Sequence, residues 1–498
     1  VRPIYASKLT QLLEVSLRGK DIQGFQAIRD HSESVKTGDL IVILSADKEK
    51  ALAHIQRAKE LGAGGMIVSE NLAERYPNLL SDSPHFSVPS PVQAIETIIK
   101  HYFPQTPSFM AAVTGTNGKT SVTTFARQLW TKLGTPAASL GTLGVFQGEQ
   151  PFVDAPWGSL TTPARLPMCQ TLHMLSESGV THSILEASSH GLHQGRLQGL
   201  KFKVGVFTNF SQDHLDYHTN MDAYWKAKEV LFTHHLTPEG TAILYDELPH
   251  LSELREYLEK RNQRIITYGH QSGSTLWVKR ATPHPQGQDV TLVFNGKSVT
   301  FFFPLIGRIQ LHNALAAALT VYISGGGFND IIRALSQLKS VPGRMQYIGE
   351  TPNKGQVFVD YAHTPDALRC ALSSLRPHTP GQLHVLFGCG GGRDTSKRPI
   401  MGRIAQTYAD YPLITDDNPR DEDPVSIRQH ILKNCSQGQD AGPRPQAIKC
   451  AISSLKAGDA LLIAGKGHEM DQILQNNQRI PHNDVKIAKD VIKYLASH

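Results

Sequence analysis

Gly115-Thr116-Asn117-Gly118-Lys119-Thr120 is the stretch on which the reading of this chain turns. It follows an apolar run at 109–113 and opens a segment, 121–133, whose helical spacing stops before Gly134. Strand, glycine turn and helix together form the context in which a loop wraps phosphate. Glycines let backbone N–H groups turn inward, and the helix N-terminus adds the positive end of its dipole. Lys119 can reach terminal phosphates, and the Thr120 hydroxyl can ligate Mg²⁺. Gly115, Thr116, Asn117, Gly118, Lys119, Thr120 and Ser121 are therefore the expected residues around a nucleotide's phosphates, with Mg²⁺ as cofactor. The loop is two residues shorter than the usual Gly-x4-Gly-Lys-Thr form.

Outward from this loop the pattern repeats. Strand-like runs at 183–185, 204–207 and 242–245, and later at 357–359, 384–387, 412–415 and 460–463, each lead into a polar or glycine-rich turn. Such alternation with helical segments predicts an α/β fold built on mostly parallel sheets, in which ligands sit beyond the carboxyl ends of the strands. Pro104 and Pro107 punctuate one junction, and Ser340-Val341-Pro342-Gly343-Arg344 another. The expected domains are 1–106, 107–341 and 342–498.

Composition narrows the class. The 498 residues are 40% hydrophobic and 19% charged, as in ordinary globular proteins. No apolar run is long enough to span a bilayer, and residues 1–20 lack the compact apolar stretch of a signal peptide, so a cytoplasmic protein without membrane contact is expected. The formal charge of +6 is dispersed, which argues against a nucleic-acid partner. Five cysteines without a Cys-x-x-Cys pair argue against a disulfide framework or zinc site. A monomer is expected.

Several turns carry chemistry. Glu186 ends a strand ahead of Ala187-Ser188-Ser189-His190-Gly191, where a carboxylate can take Mg²⁺ or cap a loop. Thr208-Asn209 and Asp213-His214-Leu215-Asp216-Tyr217-His218 concentrate possible metal ligands and acid/base groups. Lys228, on a helical stretch, reads by itself as a solvated lysine. Asp360 reads as a helix cap or a ligand group, and Thr161-Thr162-Pro163 as an ordinary turn. Gly388-Cys389-Gly390-Gly391-Gly392-Arg393 suits an anion or a plain turn. In Asp416-Asp417-Asn418-Pro419-Arg420, Arg420 offers a planar fork for a carboxylate. Glu469, in Gly465-Lys466-Gly467-His468-Glu469, is a ligand or a solvated loop residue.

The compressed phosphate loop resembles that of the Mur ligases and the folylpolyglutamate synthetases. The motifs at 186–191, 213–218 and 417–420 are similar to those of the MurE type within the Mur family. The resemblance covers about Ser32 to Ile492. It implies three domains: an N-terminal α/β domain for a uridine nucleotide, a central P-loop ATPase-like parallel sheet, and a Rossmann-like C-terminal domain. It also implies an ATP-dependent ligase of peptidoglycan synthesis, joining meso-diaminopimelate to UDP-N-acetylmuramoyl-L-alanyl-D-glutamate through an acyl phosphate. By the same resemblance Lys119, Glu186, His214 and Lys228 are catalytic. Thr120, Glu186, His214 and a carbamylated Lys228 hold Mg²⁺. The nucleotide at 115–121 is by the resemblance ATP, with Asn313 facing adenine, Arg344 phosphate and Asp360 ribose. Ser32, Thr161, Thr162, Ser188, Gln194 and Arg196 contact the UDP substrate. Arg393, Asp417, Asn418, Arg420, Gly465 and Glu469 hold the amino acid, Arg420 at its distal carboxylate and Glu469 at its distal ammonium.

The chain departs from the family pattern in places. An Asp-Ser-Arg uridine motif stands here as His31-Ser32-Glu33, a Phe-Asn pair as Ile309-Gln310, and Leu160 and Gly392 replace Asn and Asp. The rival readings are a relative that adds lysine or extends folate with glutamate, a nucleotide-binding scaffold without ligase activity, and a P-loop motor or GTPase.

Overall fold

The computed structural model describes residues 4–45, 47–158 and 160–497, so the first three residues of the opening stretch lie outside it. The described residues form two compact units. The first gathers those of Val1–Ser108, Pro151–Thr181 and Gln194–Gln198, and the second those of Phe109–Gln150, His182–His193 and Gly199–His498. Segments 151–181 and 194–198, expected within a central domain, thus cluster with the first unit.

The first unit contains a five-stranded sheet in the order Leu17–Arg18, His85–Val88, Gly65–Ser69, Leu40–Val42, Ile28–Arg29. All neighbours except the first pair run parallel. Met66 and Val68 face a core with Ile41, Ile55 and Leu80.

The second unit carries two sheets. In the larger one, the strands Ala137–Gly141, His182–Glu186, Phe109–Thr114, Phe202–Phe207, Leu236–Tyr245, Arg264–Gly269 and Leu276–His284 lie side by side and parallel. Phe109–Thr114 is buried throughout because helices cover a parallel sheet, which favours a continuous apolar run over an alternating one. Leu276–His284, Gly287–Phe294 and Lys297–Phe303 add an antiparallel meander that the sequence reading did not identify.

The other sheet runs Gln346–Glu350, Gln356–Asp360, Ala460–Ala464, Leu383–Phe387, Tyr411–Thr415, Gln439–Gly442. Only its first pair is antiparallel. Strand alternation sends Phe358, Val385 and Leu462 into one core and Val357, Val359, Leu386 and Ile463 into the other. This is the expected α/β class with parallel sheets. The strands 109–114, 182–186 and 202–207 end together around the glycine loop, and 356–360, 411–415 and 460–464 end at the polar turns singled out above. No helix among the described residues is long and apolar enough to cross a membrane.

Candidate active site

The glycine loop joins Phe109–Thr114 to the helix Lys119–Lys132, with Gly118 as N-cap at φ 90°. A side chain there would be strained, and its Cβ would overlap Asn313 Oδ1 from the buried helix Arg308–Ile323. Asn313 thus packs against the turn itself. Two residues from the histidine-rich segment clasp the loop. Asn117 N–H donates to Asn209 Oδ1 at 2.9 Å, Asn209 Nδ2 returns a bond to Asn117 O at 2.9 Å, and Thr208 Oγ1 donates to the same carbonyl at 2.6 Å. Thr208 and Asn209, read from sequence with a metal or acid/base cluster, serve here as loop supports. Lys119 Nζ donates to Gly115 O at 2.8 Å and Thr116 O at 2.9 Å.

Glu186 ends the strand His182–Glu186 and is 1% exposed. Its Oε1 accepts from Thr142 N–H at 2.8 Å, and its Oε2 from Thr120 Oγ1 at 3.1 Å and Thr142 Oγ1 at 3.2 Å. Burial raises its pKa, against the opposing pull of Lys119, the Thr142 N–H, Arg344 and Thr120. Thr142 was not picked from the sequence. It follows a strand as an isolated threonine, and nothing local marks it.

Lys228 corrects the reading made from its helix alone. It lies in Met221–Val230 but is 1% exposed, not solvated. Its Nζ donates to Gly115 O at 2.8 Å and sits 4.4 Å from the centre of the Tyr224 ring. Burial, and then the Lys119 charge, push its pKa well below the usual lysine value, which favours the neutral amine. His214 adopts φ 52° beside Asp213, with Nε2 to Oδ2 3.6 Å. Burial lowers its pKa, and Asp213 opposes that shift.

These groups can be tested against a magnesium ion. The Thr120 hydroxyl and Glu186 carboxylate converge as hard oxygen donors, which suits Mg²⁺. Lys228 as an ammonium would repel a cation, and its lowered pKa favours instead the neutral amine, from which a carbamate with oxygen donors can form.

On the smaller sheet of this unit, Asp360 accepts from Met345 N–H at 2.6 Å and Ala362 N–H at 2.8 Å, so it braces the turn that carries Arg344. The Arg344 guanidinium lies 4.4 Å from the centre of the Tyr361 ring, a cation–π seat absent from the sequence reading. Its charge is felt at both Lys119 and Glu186. Beyond the next strand ends, Arg420, at φ 51°, donates through Nη1 to Gly391 O at 2.8 Å. Gly391 is required there, since a Cβ would overlap the Pro419 carbonyl. The glycine-rich turn and the 417–420 loop are therefore two walls of one feature, with Arg393 exposed on the turn. Gly465 backs onto Asp417 of that loop, and Asn418 Nδ2 donates to Glu469 Oε2 at 3.2 Å.

Comparison with known proteins decides the family. Residues 113–321 match the Mur ligase middle domain, and 343–467 match the Mur ligase glutamate ligase domain. A UDP-N-acetylmuramoyl-L-alanyl-D-glutamate–2,6-diaminopimelate ligase of Zymomonas mobilis is 42% identical over 411 residues, 82% of this chain and 84% of that protein. The chain belongs to the Mur ligase family. A ligase of the same name as the Zymomonas protein, from Rickettsia montanensis, is 38% identical over 469 residues, 93% of this chain and 95% of that one. A solved ligase of the same name superposes with a TM-score of 0.67 at 29% identity, covering 100% of both chains. The MurF ligase of Thermotoga maritima in complex with ADP shares the fold, with a TM-score of 0.65 at 16% identity over 95% of this chain and 98% of that one.

The remaining residues expected from the Mur resemblance fall as follows. Within the first unit, Arg196 donates to Thr162 O at 2.6 Å and to Gln194 Oε1 at 2.6 and 3.0 Å, which groups three of the expected contacts with Thr161 beside them in sequence. Ser32 is buried and bonds His54 Nδ1 at 2.8 Å, and the acidic Glu33 is matched by Arg57 at 3.1 Å. Ser188, in the second unit, accepts from Gly191 N–H at 3.1 Å. Ser121 is buried at the start of the helix that follows the phosphate loop.

Proposed function

We propose that this Mur ligase joins meso-diaminopimelate to UDP-N-acetylmuramoyl-L-alanyl-D-glutamate at the expense of ATP. The observation that carries the substrate assignment is Arg420. Its guanidinium is braced on the backbone of the glycine-rich turn, and its loop also carries Asn418, which is bonded to Glu469. Meso-diaminopimelate ends in a carboxylate and an ammonium, and a guanidinium and a carboxylate on linked loops match that pair of charges. Lysine has no distal carboxylate for Arg420, and leaving that charge unmatched disfavours it.

In the proposed reaction the γ-carboxylate of the D-glutamyl residue attacks the γ-phosphorus of ATP. The bond to the bridging oxygen breaks, and ADP departs, leaving an acyl phosphate. The loop N–H groups of 115–120 and Lys119 hold the phosphates, and Thr208 and Asn209 keep the loop in shape. Thr120 and Glu186, and His214 with a carbamylated Lys228, would hold Mg²⁺, which would supply neutralisation of the phosphate charge. Thr142 fixes Glu186 for that task. Arg344, seated on Tyr361, would add positive charge where the phosphoryl group transfers. The diaminopimelate amine then attacks the acyl carbon, the carbon–oxygen bond breaks, phosphate leaves, and the nitrogen loses its surplus proton. Ser32, Thr161, Thr162, Ser188, Gln194 and Arg196 would bind the UDP substrate, and Asn313 and Asp360 the nucleoside of ATP.

The test is phosphate release with purified protein, ATP and Mg²⁺. Release that requires both the UDP-muramoyl-dipeptide and meso-diaminopimelate is expected. Release with neither acceptor, or with lysine in preference, would overturn the reading.

A further inference from the structure

Beneath the proposed amino-acid pocket lies a cation that the reaction described above does not use. Lys466 follows the strand Ala460–Ala464 and its side chain is 0% exposed. Its Nζ donates to Asn418 Oδ1 at 2.9 Å and to Glu469 Oε2 at 2.8 Å. Both acceptors belong to side chains proposed to touch the amino acid. Asn418 is fixed further by Ile473 N–H at 3.0 Å on the same Oδ1, and it donates in turn to Glu469 Oε2. Glu469 is one-third exposed, so it remains accessible to a ligand while its Oε2 is held by Lys466 and Asn418.

The loop backbones are held separately. Arg444, also 0% exposed, donates to Ala464 O at 2.9 Å and Asp416 O at 3.3 Å, the residues just before Gly465 and Asp417. Asp484 pairs with Arg444 at 2.7 Å, and His482 bonds Asp484 at 2.7 Å. Main chain and side chains thus have different anchors, which confines the work of Lys466 to Asn418 and Glu469.

We infer that Lys466 is a positioning residue for amino-acid selection: it aims the Glu469 carboxylate and the Asn418 amide at the distal ammonium of the incoming diamino acid. A buried ammonium bonded to both groups restricts rotamers that would otherwise be lost on binding, and that ammonium needs both partners because a buried unpaired charge is costly. The inference rests on the proposed diaminopimelate site, and the test separates the two.

The experiment is a double-mutant cycle on the full chain with Lys466→Met, Glu469→Gln and the pair, Lys466→Gln being run in parallel. The quantities measured are the KM values for meso-diaminopimelate and ATP. The expected result is a rise of about tenfold or more in the diaminopimelate KM for each lysine variant, with the ATP KM within about twofold of wild type. In the Glu469→Gln background, Lys466→Met should add less than about twofold, since it acts through that carboxylate. Additive effects, an unchanged diaminopimelate KM, or loss of nucleotide binding in both lysine variants would overturn the inference. Wild-type protein inactive with diaminopimelate would instead overturn the proposed function.

Discussion

Lys228 and Arg420 show how far a single residue can be read. Arg420 could be proposed from sequence because its neighbours, Asp417-Asn418-Pro419, and its guanidinium chemistry pointed the same way. Lys228 was not legible from its helix. Lysine is ordinarily solvated, and only the packing of Tyr224 and the Gly115 carbonyl against it reveals its burial. Two predictions belong here. Replacing Arg420 with alanine should lower kcat/KM for meso-diaminopimelate by about two orders of magnitude while sparing ATP binding, as read by steady-state kinetics and calorimetry. The neutral amine favoured at Lys228 should take up carbon dioxide. Protein equilibrated with isotope-labelled bicarbonate should show a carbamate carbon resonance that disappears in Lys228→Met. A spectrum without that signal, in protein that turns over, would contradict the carbamate.

Among the elements, those of the nucleotide-binding core were the most readable. The strand Phe109–Thr114, the glycine turn and the helix Lys119–Lys132 sit within a residue or two of where hydrophobic spacing put them. Their signals are local: a buried apolar run, a turn that needs glycine, a helical repeat. The strand Leu276–His284 went unread because Lys279, Arg280 and Pro283 interrupt the apolar alternation that marks a strand, although Val290, Leu292 and Phe294, and Val299, Phe301 and Phe303, do alternate in the two strands that follow. Pairing with a neighbour across the sheet holds them. Thr142 was missed for a related reason, since its hydrogen bonds to Glu186 join strands far apart in sequence. At this scale Gly118→Ala is the sharp test. With φ at 90° and Asn313 in the way of a Cβ, the change should strain the turn by about 1 kcal/mol or more. The expected outcome is a weaker ATP affinity by calorimetry, about tenfold, with meso-diaminopimelate binding unaltered.

Across the whole molecule, buried charge makes the C-terminal sheet sensitive to acid. Burial alone would raise the Asp484 carboxyl, but Arg444 and His482 outweigh it and hold it below the usual carboxylate range. A depressed folded pKa means that the stabilisation is fully present above the unfolded value, about 3.9, and is lost as pH falls through the folded one. Asp484→Asn should therefore cost about 3–5 kcal/mol near neutral pH by leaving Arg444 unmatched. Its deficit relative to wild type should shrink below about pH 4 in thermal or urea unfolding. An equal deficit at pH 7 and pH 3 would contradict the assignment of that charge. The overall α/β plan was legible because parallel sheets write themselves as repeated buried runs with polar turns. The clustering of 151–181 and 194–198 with the first unit was not, because contacts between distant segments leave no local trace.

The central claim is that one site activates a carboxylate with ATP and delivers to it an amine chosen by Arg420. The most direct measurement is acceptor-dependent phosphate release by wild-type protein, set beside mass spectrometry of the product. The account predicts one phosphate for each UDP-muramoyl-tripeptide formed, with meso-diaminopimelate and not lysine incorporated. Phosphate release without either acceptor, or a product carrying lysine, would contradict it.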